Sequence, residues 1–111
     1  MLILRTAVLC GCNYQWAHHV RTGRAAGITE AEIDQLREGS AHPSWTPRDV
    51  TIVRSAEQLV TEHQVDDDTW AELAQVFPDD QVMELMMLVG HYVMIAGLVN
   101  SIGVDLDPDL Q

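Results

Sequence analysis

Thiol, amide and imidazole groups lie close together near the amino terminus, between Cys10 and His19. If this stretch is helical, Cys12, Gln15 and His19 occupy positions i, i+3 and i+7, which places them in one stripe within about 60°. The exposed N–H groups at a helix start stabilise a thiolate, and an imidazole exchanges protons near neutral pH. The spacing therefore indicates an acid–base pocket in which Cys12 and His19 are the candidate catalytic residues.

Helix geometry also separates these groups. Seven residues rise about 10 Å, so a water or a residue from another helix would have to join Cys12 to His19. His18 points about 100° away from His19, so the two histidines cannot share one role. A plainer interpretation stays open, because a cysteine near a helix start is often a small buried apolar residue. Cys-x-Cys followed by two histidines lacks the two-pair spacing of zinc sites, and no metal site is predicted.

The elements that position these residues are predicted to be helices throughout, in a compact bundle of five to six. Thr29 and Glu32 have the spacing of a capping box, and Thr46-Pro47 is a cap followed by proline at the first helical position. The expected helices cover residues 2–9, about 13–26, 30–38, about 47–62, a segment that begins at the acids 66–68 and ends at Pro78, and about 79–101.

The last of these helices is apolar on nearly every side between Met86 and Val99. This pattern predicts that one face packs on the core and another on a partner subunit, although a monomer that buries the helix centrally is the alternative. The apolar stretch 85–99 is shorter than the ~20 residues that span a bilayer. We therefore interpret it as a buried helix and not as a membrane span.

The charge balance excludes several classes of partner. The chain has 111 residues with six arginines, no lysine and seventeen acids, and its net charge is −11. Such a charge repels nucleic acids and anionic membrane surfaces, and it disfavours small anionic substrates unless an arginine makes a local exception. Two cysteines separated by one residue are too few for a secreted disulfide scaffold. Together with the absence of signal-peptide features, they predict reduced thiols in a cytoplasmic protein.

Several segments resemble the carboxymuconolactone decarboxylase-like family, which includes the alkyl hydroperoxidase D proteins. They are Ile3-Leu4-Arg5, Gly11-Cys12-x-Tyr14-x-Trp16-Ala17-His18-His19, Ala26-Gly27-Ile28-Thr29 with Glu32-Ile33, Leu88-Val89-Gly90-x-Tyr92-x-Met94, and Asn100-x-x-Gly103-Val104-x-Leu106-Asp107-Pro108. The resemblance covers essentially the whole chain, 1–111, as one domain. It implies an all-α, alkyl hydroperoxidase D-like fold that forms a homo-oligomer (trimer, hexamer or dimer). It also implies a small-molecule substrate and no metal or organic cofactor.

The resemblance implies two activities, decarboxylation of a muconolactone acid and thiol-dependent hydroperoxide reduction. The peroxide-reducing branch uses Cys-x-x-Cys with a histidine four residues after the second cysteine. Cys12 and His19 match the first cysteine and the histidine, whereas Gln15 stands where the second cysteine should be, so the usual disulfide cycle lacks its resolving thiol. Cys10 is a substitute on the other side of Cys12. The family's proton-relay glutamate would fall immediately before Met1, so we expect either a family segment upstream or a shortened protein.

The leading hypothesis is a pocket that acts on a small organic acid or lactone, with His19 as the acid–base group and Cys12 as a reactive or polar wall residue. His19 or Arg21 would stabilise a developing enolate. The predicted substrate-binding residues are Tyr14, Gln15, Trp16 and His18. Two alternatives remain: a peroxiredoxin-type hydroperoxide reductase that uses Cys12 and an external thiol, and a non-catalytic homo-oligomeric binding protein.

Overall fold

A computed structural model describes residues 1–106 and 108 of the chain. Within this part the chain forms six helices and no strand, which confirms the predicted all-α class. Asp107 of the carboxy-terminal motif lies outside the described residues. The helices are α1 (Leu2–Leu9), α2 (Asn13–Ala25), α3 (Glu30–Glu38), α4 (Pro47–Glu62), α5 (Asp67–Val76) and α6 (Asp79–Ile102).

The helix starts are encoded locally. The Thr29 hydroxyl accepts the Glu32 N–H at 3.2 Å, and the Glu32 carboxylate accepts the Thr29 N–H at 3.1 Å, which completes the predicted capping box of α3. The Thr46 hydroxyl likewise accepts the Asp49 N–H at 3.2 Å, directly before Pro47. These bonds satisfy first-turn amides that have no partner within the helix, so each helix begins where its cap stands.

The core consists of two clusters that meet around α1. The helix α1 packs against α2, α3, α4 and α6, although it is the shortest of the six. The first cluster contains Leu4, Val20, Ile33, Leu36 and Val53, and the second contains Leu73, Val82 and Leu85. Because α1 and α2 contribute to the first cluster, the turn between them, where the candidate thiols lie, is fixed on the core.

A buried arginine ties three helices together. Nε and Nη2 of Arg5 donate to Oε2 of Glu57 at 3.1 and 2.7 Å, and Nη1 donates to the carbonyls of Leu36 and Arg37 at 3.1 and 3.0 Å. Burial works to raise the pKa of Glu57, but hydrogen bonds from Ser40 and Arg5 outweigh it, and the pKa lies below its ordinary value. The network joins α1 and α4 to the carboxyl end of α3, and so fixes the main chain at Arg37.

The helix α6 has the predicted bounds to within one residue, but it is less buried than predicted. It has 24 residues, and by length and composition alone it could cross a membrane, since an 18-residue window within it has a mean hydropathy of 1.8. It continues until Gly103, whose φ of +77° ends it. Only 22% of its apolar window is buried in this chain. Length and composition alone do not distinguish a membrane span from a helix that packs on protein.

Candidate functional site

Cys12 is the residue immediately before α2. Its backbone is extended, with φ −100° and ψ 90°, and it follows Gly11, whose φ of +62° makes the turn from α1. Its N–H donates to the carbonyl of Ala7 at 2.9 Å, and its own carbonyl accepts the Trp16 N–H at 3.1 Å. Only 1% of Cys12 is exposed. The thiol therefore stands at a helix start, as predicted, but in the interior and one residue before the helix.

A cavity of about 180 Å³ adjoins this thiol. Its lining residues are Ala7, Val8, Gly11, Cys12, Asn13, Trp16 and Arg37. The guanidinium carbon of Arg37 lies 4.5 Å from the centroid of a Trp16 ring, within the range of a cation–π interaction. A water molecule takes about 30 Å³ in the liquid, so the cavity suits a small molecule. Its walls combine a thiol, an indole and a cation.

His19 faces a different helix. Its ring meets that of Tyr92 on α6 edge to face, with centroids 5.3 Å apart and planes at 88°. Burial lowers the pKa of His19 below 6.5, and the neighbouring His18 lowers it further. The imidazole is therefore neutral at neutral pH and able to accept a proton. His19 is not among the lining residues of the Cys12 cavity, and no hydrogen bond joins the two side chains within the described part of the chain.

The four predicted substrate-binding residues do not lie together at one site. Gln15 is buried, with 7% of its surface exposed. Tyr14 and His18, one helical turn apart, bring their rings together in a tilted contact, with centroids 4.4 Å apart and planes at 43°. Only Trp16 joins Cys12 at the cavity. The structure thus brings together Cys12 and Trp16, whereas the stripe that was expected to run from Cys12 to His19 does not line this one cavity.

Two residues at the site were missed by the sequence analysis. Arg37 on α3 and Tyr92 on α6 reach α2 through contacts between helices, which local spacing does not encode. Tyr92 stands within a motif of the family resemblance, but nothing there indicated that its ring would meet His19. The acidic net charge implied that an anionic substrate would need an arginine nearby, but the sequence did not indicate that Arg37 would provide it.

Cys10 is a poor substitute for the absent second thiol. Burial raises its pKa, and the nearby Cys12 raises it further. At neutral pH Cys10 is therefore mostly protonated, which weakens it as a nucleophile. Its carbonyl accepts a hydrogen bond from Asn100 Nδ2 of α6 at 3.1 Å. Among the described residues no group of three or more His, Cys, Asp or Glu side chains could hold a metal ion.

The amino-terminal half of the chain matches the sequence profile of a known family. The sequence profile of the carboxymuconolactone decarboxylase family matches residues 1–58. This chain belongs to the carboxymuconolactone decarboxylase family. The matched part runs from α1 into α4, and it therefore includes every predicted site residue as well as Arg37. A search among curated proteins finds no match.

The fold is also shared with a solved structure. A crystal structure from Agrobacterium tumefaciens, of a protein of unknown function described as a candidate antioxidant defence protein AhpD, superimposes with a TM-score of 0.88. The two are 17% identical, over 96% of this chain and 74% of that chain. At this identity the likeness concerns the fold alone. The predicted alkyl hydroperoxidase D-like fold is confirmed.

Proposed function

We propose that this member of the family is an enzyme that acts on a small organic acid or lactone at the amino-terminal end of α2. The observation that carries the proposal is the cavity of about 180 Å³ whose lining includes the buried Cys12 together with Trp16 and Arg37, the guanidinium of which lies 4.5 Å from the Trp16 ring centroid.

In this proposal His19 is the acid–base group, because its lowered pKa keeps the ring neutral and able to accept a proton at neutral pH. Cys12 is a polar or reactive wall of the substrate cavity. Since His19 does not line the Cys12 cavity, substrate or water connects the two groups in this proposal.

A decarboxylation at this site follows a definite course of electrons and protons. The bond between the carboxylate carbon and its neighbour breaks, carbon dioxide leaves, and the electron pair passes to an adjacent carbonyl as an enolate. Protonation at carbon, by a solvent proton relayed through His19, completes the reaction. His19 or Arg21 stabilises the enolate oxygen, which requires a hydrogen-bonding or cationic group.

Thiol-dependent hydroperoxide reduction through Cys12 is the second candidate, and it is favoured because Cys12 and His19 match the first cysteine and the histidine of the peroxide-reducing branch. The thiolate attacks a peroxide oxygen, an S–O bond forms, the O–O bond breaks, and the leaving alkoxide takes a proton from solvent and departs as an alcohol. Since Gln15 supplies no second thiol, two molecules of an external thiol then reduce the sulfenic acid, which releases water and a disulfide.

Steady-state assays on the purified protein distinguish the two reactions. The substrates are a carboxylated lactone, followed by release of carbon dioxide, and an organic hydroperoxide with dithiothreitol. For the lactone reaction we expect His19→Gln to lower kcat by about 10²- to 10⁴-fold, the usual contribution of a general acid–base group, and Cys12→Ser to have little effect. Loss of hydroperoxide turnover in Cys12→Ser would favour the second candidate.

Cys10→Ser is the matched control for the thiol variant and should retain activity in both assays. If neither substrate is turned over by the wild-type protein, or if all three variants keep full activity, the enzymatic proposal is refuted. The non-catalytic binding protein is then the better hypothesis.

We also propose that the chain forms a homo-oligomer through α6, in the cytoplasm, without a nucleic-acid or membrane partner. The support is the exposure of large apolar side chains along that helix, such as Met87 at 71%, Met94 at 65% and Ile102 at 68%. Exposed apolar surface of this extent is typical of protein–protein contacts. The net charge of −11 opposes association with nucleic acids and anionic lipids.

A further inference from the structure

We propose that Arg37 gives the Cys12 cavity a preference for ligands that carry a carboxylate. The inference deepens the proposed function, since it rests on this cavity being the place where a small molecule binds. It assigns a binding role to a residue on α3, outside the α2 segment that carries the other candidate residues.

The ion pairs of the chain show why Arg37 is available for a ligand. Within the described residues, ion pairs join Arg5 to Glu57 at 2.7 Å, Arg24 to Glu30 at 2.6 Å and Arg54 to Glu72 at 3.2 Å. Arg37, by contrast, has no ion pair with a carboxylate in the described part of the chain. In a protein with seventeen acids, this guanidinium keeps its donors for another partner.

The geometry around Arg37 suits recognition of a carboxylate. Its carbonyl accepts a hydrogen bond from Arg5 at 3.0 Å, which fixes the main chain, and the Trp16 ring supports its guanidinium at 4.5 Å. A guanidinium stacked on a ring keeps its N–H groups at its edges, where two parallel hydrogen bonds to a carboxylate can form. Preorganisation of this kind reduces the entropy that is lost when a ligand binds.

Arg37 and Cys12 line the same cavity but differ in their exposure to solvent. Arg37 is exposed, whereas Cys12 is buried, so the lining of the cavity extends from a solvent-exposed cation to an interior residue. The net charge of −11 repels anions at long range, but ionic screening limits that effect to about 8–10 Å. At the cavity the guanidinium of Arg37, the arginine among its lining residues, therefore favours an anion over a neutral molecule of the same shape.

Alkylation of Cys12 tests this directly, because two reagents differ in charge while their reacting carbon and leaving group are the same. In both iodoacetate and iodoacetamide the thiolate sulfur attacks the methylene carbon, an S–C bond forms, the C–I bond breaks and iodide leaves. The protein carries Cys10→Ser so that only Cys12 reacts. Intact-protein mass spectrometry gives the rate constant for each reagent, and the measured quantity is the ratio of iodoacetate to iodoacetamide.

We expect Arg37→Gln to lower this ratio by about tenfold, a size typical of one partly screened charge at contact distance. Arg37→Lys keeps the charge and should retain most of the ratio. Arg48→Gln is the matched control, since Arg48 also stands over a ring, that of Phe77 at 5.4 Å, but does not line this cavity. Salt at 1 M should reduce the difference between the wild-type protein and Arg37→Gln.

Three results would each overturn the inference: an unchanged ratio in Arg37→Gln, an equal fall in Arg48→Gln, or a Cys12 that reacts with neither reagent in the otherwise unaltered protein. The reagents require no turnover, so the result is independent of the assays for lactone and hydroperoxide. An inactive protein whose ratio still depends on Arg37 would refute the proposed function and leave this inference standing.

Discussion

Replacement of Arg5 by leucine tests how the fold fixes the segment beside the candidate site. The side chain of Arg5 is 10% exposed and that of Glu57 is 21% exposed. Arg5→Leu leaves the glutamate with the Ser40 N–H at 3.1 Å and removes the donor from two carbonyls at the end of α3. Removal of one partner from a buried ion pair costs about 3–5 kcal/mol. Because Glu57 keeps some access to water, we expect the lower end, about 3 kcal/mol.

Urea denaturation followed by circular dichroism measures this change, at one fixed protein concentration so that any assembly contributes equally. A loss of about 3 kcal/mol corresponds to a fall in Tm of roughly 12 °C for a chain of this size. The control is Arg24→Leu, which removes an arginine from an equally short but solvated pair with Glu30. Exposed pairs contribute little, so its urea midpoint should stay near that of the wild-type protein.

A double variant, Arg5→Leu with Glu57→Leu, should recover part of the lost stability, because no unpaired charge then remains in the interior. The reasoning is refuted if Arg5→Leu is no less stable than Arg24→Leu. It is also refuted if the double variant is less stable than the sum of its single changes.

Further consequences concern backbone strain, pH and assembly. Gly39 has φ +93°, and an added Cβ would collide with the Arg5 guanidinium and the Glu57 carboxylate, so Gly39→Ala should lose about 2 kcal/mol or more in the same urea assay. The folded-state pKa of Glu57 lies below its ordinary value of 4.5, so its stabilising contribution is present above that pH and is lost as pH falls through the folded pKa. Acid titration of the urea midpoint should therefore be flatter in Glu57→Gln than in the wild-type protein. Met87 is 71% exposed, and Met87→Glu should reduce the mass measured by light scattering to that of a smaller assembly, whereas an unchanged mass would contradict an α6 interface.

The helix limits were predictable where the signals are local. The capping box of Thr29 and Glu32 and the left-handed Gly39 determine both ends of α3, and the predicted range 30–38 is the observed one. Caps and glycine stops depend on residues within one turn of each other, so they can be predicted from the sequence alone. The bounds of α1 and α4 were predicted equally well.

The candidate site was predictable only in part, for two physical reasons. The stripe of Cys12, Gln15 and His19 assumed helical rotation from Cys12 onward, whereas the backbone of Cys12 is extended and the helix begins at Asn13. The cation of the cavity also comes from Arg37, on another helix, and contacts between helices depend on how the core packs. The spacing of residues along the sequence therefore identified Cys12, but not the side chains that surround it.

The pH dependence of lactone turnover tests most directly whether chemistry proceeds through His19. In the proposed reaction His19 delivers a proton to carbon and must be protonated when it does so, and the pKa of His19 lies below 6.5, so kcat/KM of the wild-type protein should rise as pH falls through an apparent pKa below 6.5. The account predicts that His19→Gln loses both this rise and most of the rate. Retention of the same rate and the same pH profile in His19→Gln would contradict it.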